Sequence, residues 1–232
     1  GVIDMTLKKN LTMIGCLIGL LLLLTNCSQA TPTPPPATAT PAPEFIGKIV
    51  AVGDSLTEGL GVDSNDAYPA ILEQRLQAEG HAYQVVNAGI SGETSSGLLS
   101  RVDWVLNLEP DIVILVTGGN DGLRGIDPTL TEQNINEIID QFRAGGAIVI
   151  LGGMETIENL GKEYTDAFIG LYPKIAAEKE LIFIPLFLEG VAADPVLNQE
   201  DDIHPTAEGY QVILETVYPF VVEGIEQFEA GQ

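Results

Sequence analysis

The sequence predicts an α/β fold: a three-layer α/β/α sandwich built on a five-stranded parallel sheet. From Lys48 onward, short β-rich segments alternate with amphipathic helical segments, the order that a parallel sheet with crossover helices requires. The third and fourth β-rich segments, Ile-Val-Ile-Leu-Val and Ala-Ile-Val-Ile-Leu, are apolar at every position. Strands of this kind are buried on both faces of a sheet, so helices are expected to cover both sides.

The individual elements follow from the same pattern. Continuous or β-branched apolar runs predict strands at Lys48–Val52, Gln84–Asn87, Asp111–Val116, Ala147–Leu151 and Leu181–Ile184. Amphipathic spacing predicts helices at Tyr68–Glu79, Ser95–Leu108, Thr131–Ala144, Tyr164–Lys179 and Thr206–Phe228, with Trp104 on an apolar helical face and therefore in the core.

Residues 1–27 have the features of a signal peptide. Lys8 and Lys9 form a positive segment ahead of the apolar run 11–25, whose about 15 residues are fewer than the ~20 a spanning helix needs. The end of this run, Leu-Thr-Asn-Cys, resembles the lipobox of bacterial lipoproteins, which predicts lipid attachment at Cys27. Because a small residue is usual at the position of Asn26, conventional cleavage near Ala30 and an uncleaved anchor remain alternatives.

Residues 28–45 form a Pro/Thr/Ala-rich linker that has almost no apolar side chains with which to build a core. Extended at ~3.1 Å per residue, it would reach roughly 50 Å, enough to act as a stalk. A disordered leader with no spacing role is the alternative. Residues 46–229 are left for the folded domain, and the N-terminal segments predict an extracytoplasmic protein, anchored to the cell envelope or secreted.

The charge and the cysteines exclude several classes of function. A net charge of −23 repels phosphate backbones, so nucleic acid is not expected as a partner. The same charge disfavours adhesion to anionic lipids, and any membrane association is expected through the lipid anchor only. Cys16 and Cys27 are the only cysteines, which leaves residues 28–232 without a disulfide or a thiol nucleophile.

Nucleophilic chemistry is predicted at the ends of the strands. Ser55 directly follows the first predicted strand, and a serine hydroxyl requires a base such as histidine to become a nucleophile. His81 lies in a predicted surface turn, whereas His204 follows Asp201 by three residues in the loop before the last helix. In that position the carboxylate of Asp201 can orient the imidazole.

Four segments together resemble the sequence blocks of the GDSL/SGNH hydrolases: Gly53–Gly59, Asn87–Ser95, Gly118–Gly125 and Asp201–Pro205. The resemblance extends over about residues 47–225 and is greatest to the bacterial periplasmic branch with thioesterase, lysophospholipase and arylesterase members. It implies an SGNH-hydrolase fold, which is flavodoxin-like in its layers, and a serine esterase that uses no cofactor and no metal.

The resemblance also implies roles for single residues. Ser55 corresponds to the nucleophile and the first oxyanion donor, Gly92 to the second donor, and Asn120 to the side-chain donor. His204 corresponds to the base and Asp201 to its orienting partner. Related enzymes tend to have glycine at the position of Asp202. This chain therefore has a second carboxylate beside His204, and Asp202 is the alternative partner of the imidazole.

The expected reaction is hydrolysis of short- to medium-chain acyl esters, thioesters or lysophospholipids, small-molecule substrates that a monomer can process. A carbohydrate or peptidoglycan O-acetylesterase is the main alternative, and a non-catalytic surface lipoprotein that binds acyl groups or glycans is another. Asp54 and Asp121 are expected to brace loops by hydrogen bonds, and Leu123 and Arg124 to pack beside the site. The pocket walls are expected from the loops after Asn120, after Met154 and around residues 186–197.

Overall fold

The computed structural model describes residues 44–155 and 160–232, so the predicted signal peptide, Cys27 and most of the linker lie outside the described residues. It contains one parallel sheet with the strand order β2-β1-β3-β4-β5, which confirms the predicted fold class. The strands are β1 (Gly47–Gly53), β2 (Tyr83–Gly89), β3 (Ile112–Val116), β4 (Ile148–Gly152) and β5 (Ile182–Ile184).

Helices cover both faces of this sheet. They are α1 (Ser55–Glu58), α2 (Tyr68–Ala78), α3 (Ser95–Leu99), α4 (Val102–Leu106), α5 (Gly119–Leu123), α6 (Pro128–Ala144), α7 (Lys162–Lys179) and α8 (Ala207–Ala230). Helices α2 and α8 pack together on one face, while α6 packs against α3, α4 and α7 on the other. Among the described residues, no helix is both long enough and apolar enough to cross a bilayer.

The strand register brings three loops to one edge of the sheet. Gly53, at the end of β1, pairs with Gly89 at the end of β2 and with Val116 at the end of β3. The carboxyl ends of the three strands therefore lie at one level, and the loops that follow them emerge side by side. This is the edge at which open parallel sheets bind ligands.

The central strands form the core as their apolar sequences predict. Every residue from Ile49 to Val52 in β1 and from Ile112 to Leu115 in β3 is fully buried. Neighbouring residues of a strand point to opposite sides of the sheet, so the burial of consecutive residues means that β1 and β3 are covered on both faces.

The predicted helix Ser95–Leu108 is wrong in its continuity, because the chain forms α3 and α4 with a break at Ser100 and Arg101. The Arg101 guanidinium turns back to bind the Glu93 carboxylate at 2.6 Å and the Ala88 carbonyl at 2.8 Å. The core prediction for Trp104 fails for the same reason. After the break α4 buries Val102 and Val105, while Trp104 is 52% exposed with the Arg101 guanidinium 5.7 Å from its ring centroid.

Candidate active site

Ser55 lies in a tight turn from the central strand into a short helix. β1 ends at Gly53, and a Cβ added there would lie 2.3 Å from the Val116 carbonyl oxygen, so only glycine fits. Asp54 caps α1 by accepting a hydrogen bond from the Leu56 N–H group, at 3.1 Å. Ser55 is thus the first residue of the helix, and its hydroxyl reaches the cavity at the sheet edge.

The side chains of Ser55, His204 and Asp201 form a continuous hydrogen-bonded series. Ser55 Oγ is 2.8 Å from His204 Nε2, and His204 Nδ1 is 2.6 Å from Asp201 Oδ2. Because ionised Asp201 only accepts hydrogen bonds, the proton of a neutral imidazole belongs on Nδ1. Nε2 is then free to accept the proton of the Ser55 hydroxyl.

The charge of Asp201 is held by its own loop. Its Oδ1 atom accepts hydrogen bonds from the N–H groups of His204 and Ile203, each at 3.0 Å. The bond from the His204 N–H group has the largest effect, followed by the imidazole bond, and together these contacts lower the pKa of Asp201 to about 2. The carboxylate stays ionised over the whole range in which an imidazole titrates.

The loop that carries His204 is closed by bonds within itself. Asn198 and Pro205 form an isolated antiparallel bridge, and the Gln199 N–H group donates to the His204 carbonyl at 2.8 Å. Asp202 has a positive φ of 57° in this loop and lines the cavity. Asp201, not Asp202, is the carboxylate that contacts the imidazole.

The end of β2 places Gly92 opposite Ser55. A Cβ at Gly89 would lie 2.3 Å from the Glu58 backbone nitrogen, so the two loops approach more closely than any larger residue allows. Gly92 has a φ of 75°, and the Arg124 guanidinium donates to its carbonyl oxygen at 2.8 Å. Among the described residues, none accepts a hydrogen bond from the Gly92 N–H group, which leaves this donor available to a ligand.

Asn120 lies on the short helix α5, which follows the end of β3 and is held in place by hydrogen bonds of the neighbouring residue Asp121. Asp121 is fully buried and accepts hydrogen bonds from the Ser95 N–H group at 2.8 Å and the Ser95 hydroxyl at 2.5 Å. The Thr131 hydroxyl donates to the same carboxylate at 3.3 Å. These bonds attach α5 to α3 and α6. The position of Asn120, which lines the cavity at this edge of the sheet, is therefore well defined.

Asp54 connects the β1 turn to α5. Its Oδ2 atom accepts a hydrogen bond from Asn120 Nδ2 at 3.1 Å, while its side chain is 3% exposed. Burial raises the pKa of Asp54 to about 6, against the lowering effect of the Leu56 and Asn120 hydrogen bonds and of nearby His204. These contacts agree with the prediction that Asp54 and Asp121 brace loops, and they show which loops are joined.

A cavity of about 690 Å³ opens at these groups. Ser55, Gly92, Asn120 and His204 all line it, so the residues predicted from three strand ends and the last loop meet in one place. Its walls are mainly apolar and come only in part from the predicted loops, which contribute Leu123, Met154, Leu186, Leu188, Ala192, Ala193 and Pro195. The turn after β1 adds Leu56 and Leu60, and the loop of His204 adds Ile203.

Two contacts of this site were not predicted from the sequence: the bond from Asn120 to Asp54 and the bond from Arg124 to Gly92. An aspartate just before a short helical segment is a capping signal, and that signal explains the Leu56 contact. No local pattern indicates the Asn120 contact, which joins residues 66 positions apart.

Chemically, the arrangement contains a serine hydroxyl, an imidazole in hydrogen-bond contact with it and a carboxylate that orients the imidazole. It also brings a free glycine N–H group and an amide side chain to the same cavity. These are the parts that acyl transfer through a serine requires.

Comparison with known proteins agrees with this chemistry. Residues 51–212 match the GDSL-like Lipase/Acylhydrolase family. The chain is 41% identical over 172 residues to the esterase TesA of Pseudomonas aeruginosa, an alignment that covers 74% of this chain and 86% of TesA. It is 36% identical over 168 residues to thioesterase 1/protease 1/lysophospholipase L1 of Escherichia coli K12, covering 72% of this chain and 79% of that protein.

Solved structures show the same fold. The crystal structure of TesA superposes with a TM-score of 0.73 at 40% identity, covering 76% of this chain and 99% of TesA. The psychrotrophic esterase EstA from Pseudoalteromonas, solved with monoethylphosphonate as inhibitor, superposes with a TM-score of 0.74 at 27% identity, covering 78% and 99%. The chain therefore belongs to the GDSL-like lipase/acylhydrolase family and is a carboxylic ester hydrolase.

Proposed function

We propose that the protein hydrolyses acyl esters through a covalent intermediate on Ser55, with His204 as the base and Asp201 as its orienting partner. The observation that carries this proposal is the series from Ser55 Oγ to His204 Nε2, 2.8 Å, and from His204 Nδ1 to Asp201 Oδ2, 2.6 Å. In the described part of the chain, His204 is the histidine that contacts a serine hydroxyl at the cavity.

In the first half of the reaction, His204 takes the Ser55 proton as Oγ forms a bond to the substrate carbonyl carbon. The resulting imidazolium lies against ionised Asp201, which stabilises it. His204 then gives its proton to the leaving alkoxide or thiolate, and the bond from carbon to the leaving group breaks. Water, deprotonated by the same imidazole, attacks the acyl-enzyme, and the acid is released with Ser55 regenerated.

The negative charge of the tetrahedral intermediate is assigned to three donors: the N–H groups of Ser55 and Gly92 and the side-chain amide of Asn120. Donors of this kind act on charge that develops only during the reaction, and each typically lowers the barrier by about 2.7–4 kcal/mol. The free N–H group of Gly92 supports its assignment. The anchoring of α5 supports that of Asn120, because a donor already in position needs no reorganisation.

For the substrate, we propose short- to medium-chain acyl esters, thioesters or lysophospholipids. The cavity of about 690 Å³ has mainly apolar walls, which favour an acyl chain over a bare acetyl group on a polar sugar. The relatives named as an esterase and as a thioesterase and lysophospholipase support the same range. All the proposed catalytic groups come from one chain, so a monomer suffices.

For the location, we propose an extracytoplasmic enzyme attached to the cell envelope by a lipid on Cys27. The support is the sequence itself: the positive and apolar segments, the Leu-Thr-Asn-Cys sequence and the Pro/Thr/Ala-rich linker. Cys27→Ser should then move the protein from the membrane fraction to the soluble fraction of producing cells. An unchanged distribution would reject lipid attachment at this residue.

Labelling with a fluorophosphonate probe tests the catalytic proposal. The wild-type protein should be labelled on Ser55, and Ser55→Ala and His204→Ala should not be, while His81→Ala serves as the matched histidine control and should be labelled normally. An unlabelled, folded wild-type protein would favour the non-catalytic binder. A chain-length series of p-nitrophenyl esters, run beside acetylated xylan and lysophosphatidylcholine, defines the substrate; preference for the acetylated glycan would reject the proposed range.

A further inference from the structure

The side-chain amide of Asn120 has two ends with opposite effects on an oxyanion. Its nitrogen carries two N–H donors, whereas its oxygen only accepts. If the amide turned by half a rotation about its last bond, the oxygen would face the reacting carbonyl and repel the developing charge. An amide in an oxyanion hole therefore needs a neighbour that decides which end faces the substrate.

Asp54 occupies the position of such a neighbour. Its Oδ2 atom lies 3.1 Å from Asn120 Nδ2, and an ionised carboxylate accepts hydrogen bonds without donating any. It can therefore hold only the nitrogen end of the amide. One N–H group is taken by Asp54, and the other, on the same nitrogen, is left for the substrate.

The backbone of α5 is shaped around this carboxylate. A Cβ added to Gly119 would lie 3.2 Å from Asp54 Oδ2 and 3.3 Å from the Met154 methyl group, closer than ordinary contact. Glycine at 119 thus gives Asp54 room beside Asn120. This residue is in the helical region of the backbone, so the close approach is what calls for glycine here.

The charge of Asp54 exceeds what helix capping needs. Asparagine caps helices about as well as aspartate, and the Leu56 N–H group requires only a side-chain oxygen. Burying a carboxylate without a cation is unfavourable, and no Lys or Arg is among the hydrogen-bond partners of Asp54 within the described residues. Of its two hydrogen-bond donors, Leu56 and Asn120, only the Asn120 amide has two different ends between which an acceptor-only group can select.

We propose that Asp54 is a positioning residue of the oxyanion hole: its carboxylate fixes the Asn120 amide with the nitrogen end toward the substrate. The inference rests on the proposed role of Asn120 as an oxyanion donor. Asp54 acts through Asn120 and does not itself touch the reacting atoms.

A double-mutant cycle with Asp54→Asn and Asn120→Ala tests the proposal on the whole protein, with p-nitrophenyl butyrate as substrate. Asp54→Asn keeps a capping oxygen but can bind either end of the Asn120 amide. In the wild-type background it should lower kcat by about 10- to 100-fold with little change in KM, because a misplaced group of this kind costs that much. In the Asn120→Ala background the same change should alter kcat by less than about two-fold.

Asp127→Asn is the matched control. Asp127 also caps a helix, by accepting from the Thr129 N–H group at 2.9 Å, but it is exposed and is not among the residues that line the cavity. It should leave kcat unchanged. Gly119→Ala crowds Asp54 Oδ2 and so disturbs the same contact with Asn120. It should lower kcat in the wild-type background and have no effect on kcat when Asn120 is alanine.

Three outcomes decide the matter. If Asp54→Asn lowers kcat equally in both backgrounds, Asp54 acts independently of Asn120 and the inference is wrong. An unchanged kcat for folded Asp54→Asn also rejects it. If instead Asn120→Ala retains full activity, the proposed oxyanion donor fails first, and with it the basis of the inference, whereas labelling of Ser55 would still test the nucleophile separately.

Discussion

Two aspartates lie on either side of Ser55, the proposed nucleophile, and their surroundings differ in almost every respect. Asp201 lies in a surface loop with 47% of its side chain exposed, and three hydrogen bonds from its own loop lower its pKa to about 2. Asp54 lies in the interior at the end of β1, and burial raises its pKa to about 6. Both are hydrogen-bonded to proposed catalytic residues, Asp201 to His204 and Asp54 to Asn120.

The difference shows how one fold places two charges for two tasks. In the proposed reaction Asp201 faces an imidazole that becomes positive, so a stable negative charge there helps both the loop and the chemistry. Asp54 faces a neutral amide, and its charge brings orientation at the expense of folding free energy. A group whose burial opposes its ionisation, and which contacts a proposed catalytic side chain, is a reason to look for a functional role.

Asp201→Asn should have the largest effect on activity. An asparagine at this position can leave the imidazole in the wrong tautomer, and kcat should fall by roughly 10³- to 10⁴-fold, as in serine enzymes with the same triad. Steady-state hydrolysis of p-nitrophenyl butyrate measures this. Asp202→Asn is the matched control in the same loop, and a comparable loss in that variant would mean that Asp202 is the functional partner.

Asn120→Ala should have the second largest effect, on the Asp54 side of the site. Loss of one oxyanion donor should lower kcat by about two orders of magnitude and leave KM nearly unchanged. Asn136→Ala, at a half-buried position of α6 that does not line the cavity, should change neither constant. Retention of full activity by Asn120→Ala would remove this residue from the oxyanion hole.

Asp54→Asn should stabilise the fold while it slows the enzyme. The native state favours protonated Asp54, because its pKa rises from 3.8 to about 6 on burial. The cost of ionisation is absent below pH 4, grows from pH 4 to 6 and is complete above pH 6. At about 1.4 kcal/mol per pKa unit, removal of the charge should then raise the unfolding free energy by on the order of 3 kcal/mol at pH 8. Denaturant titrations at pH 4 and pH 8 measure the gain, and an equal gain at both would show that ionisation is not its source.

Asp201→Asn should have the smallest effect on stability, and in the opposite direction. A lowered pKa means that ionised Asp201 stabilises the folded state above pH 4, and this contribution is lost as the pH falls through about 2. Its exposure allows solvent to screen the charge, so the melting temperature at pH 7 should drop only slightly. The difference from wild type should shrink from pH 4 downward and close below about pH 2. A difference that persisted there would point to loop packing instead of charge.

The central strands could be predicted well from the sequence, because a strand that is buried on both faces is apolar at every position. Ile112–Val116 and Ile148–Gly152 are within one residue of their predicted ends, since continuous apolar runs stop where the chain leaves the sheet. Helix α6 begins at Pro128, three residues before the predicted start, because Asp127 and Pro128 form a cap ahead of the apolar pattern.

What could not be predicted depends on contacts between distant segments. The Trp104 prediction assumed one helical register through Ser100, which the Arg101 contacts to Glu93 and Ala88 interrupt. The residues of the candidate site could be predicted because family blocks can be matched without knowing the distances between them, and the structure brings Ser55, Gly92, Asn120 and His204 to one cavity. The hydrogen bond from Asn120 to Asp54 joins two different blocks, and no pattern within either block indicates it. The pairing of β1 with β3 brings these two residues together.

The loop that carries His204 is bonded mainly to itself, through the bridge of Asn198 to Pro205 and the Gln199 and Thr206 N–H groups. The bond from the Gln199 side chain to the Leu60 carbonyl, 2.7 Å, and the contact with Ser55 join it to the β1 side. We expect such a loop to open as a small cooperative unit while the sheet stays intact. On gradual heating, catalytic activity should therefore disappear at a lower temperature than the helical circular dichroism signal, and it should return on cooling without refolding of the sheet.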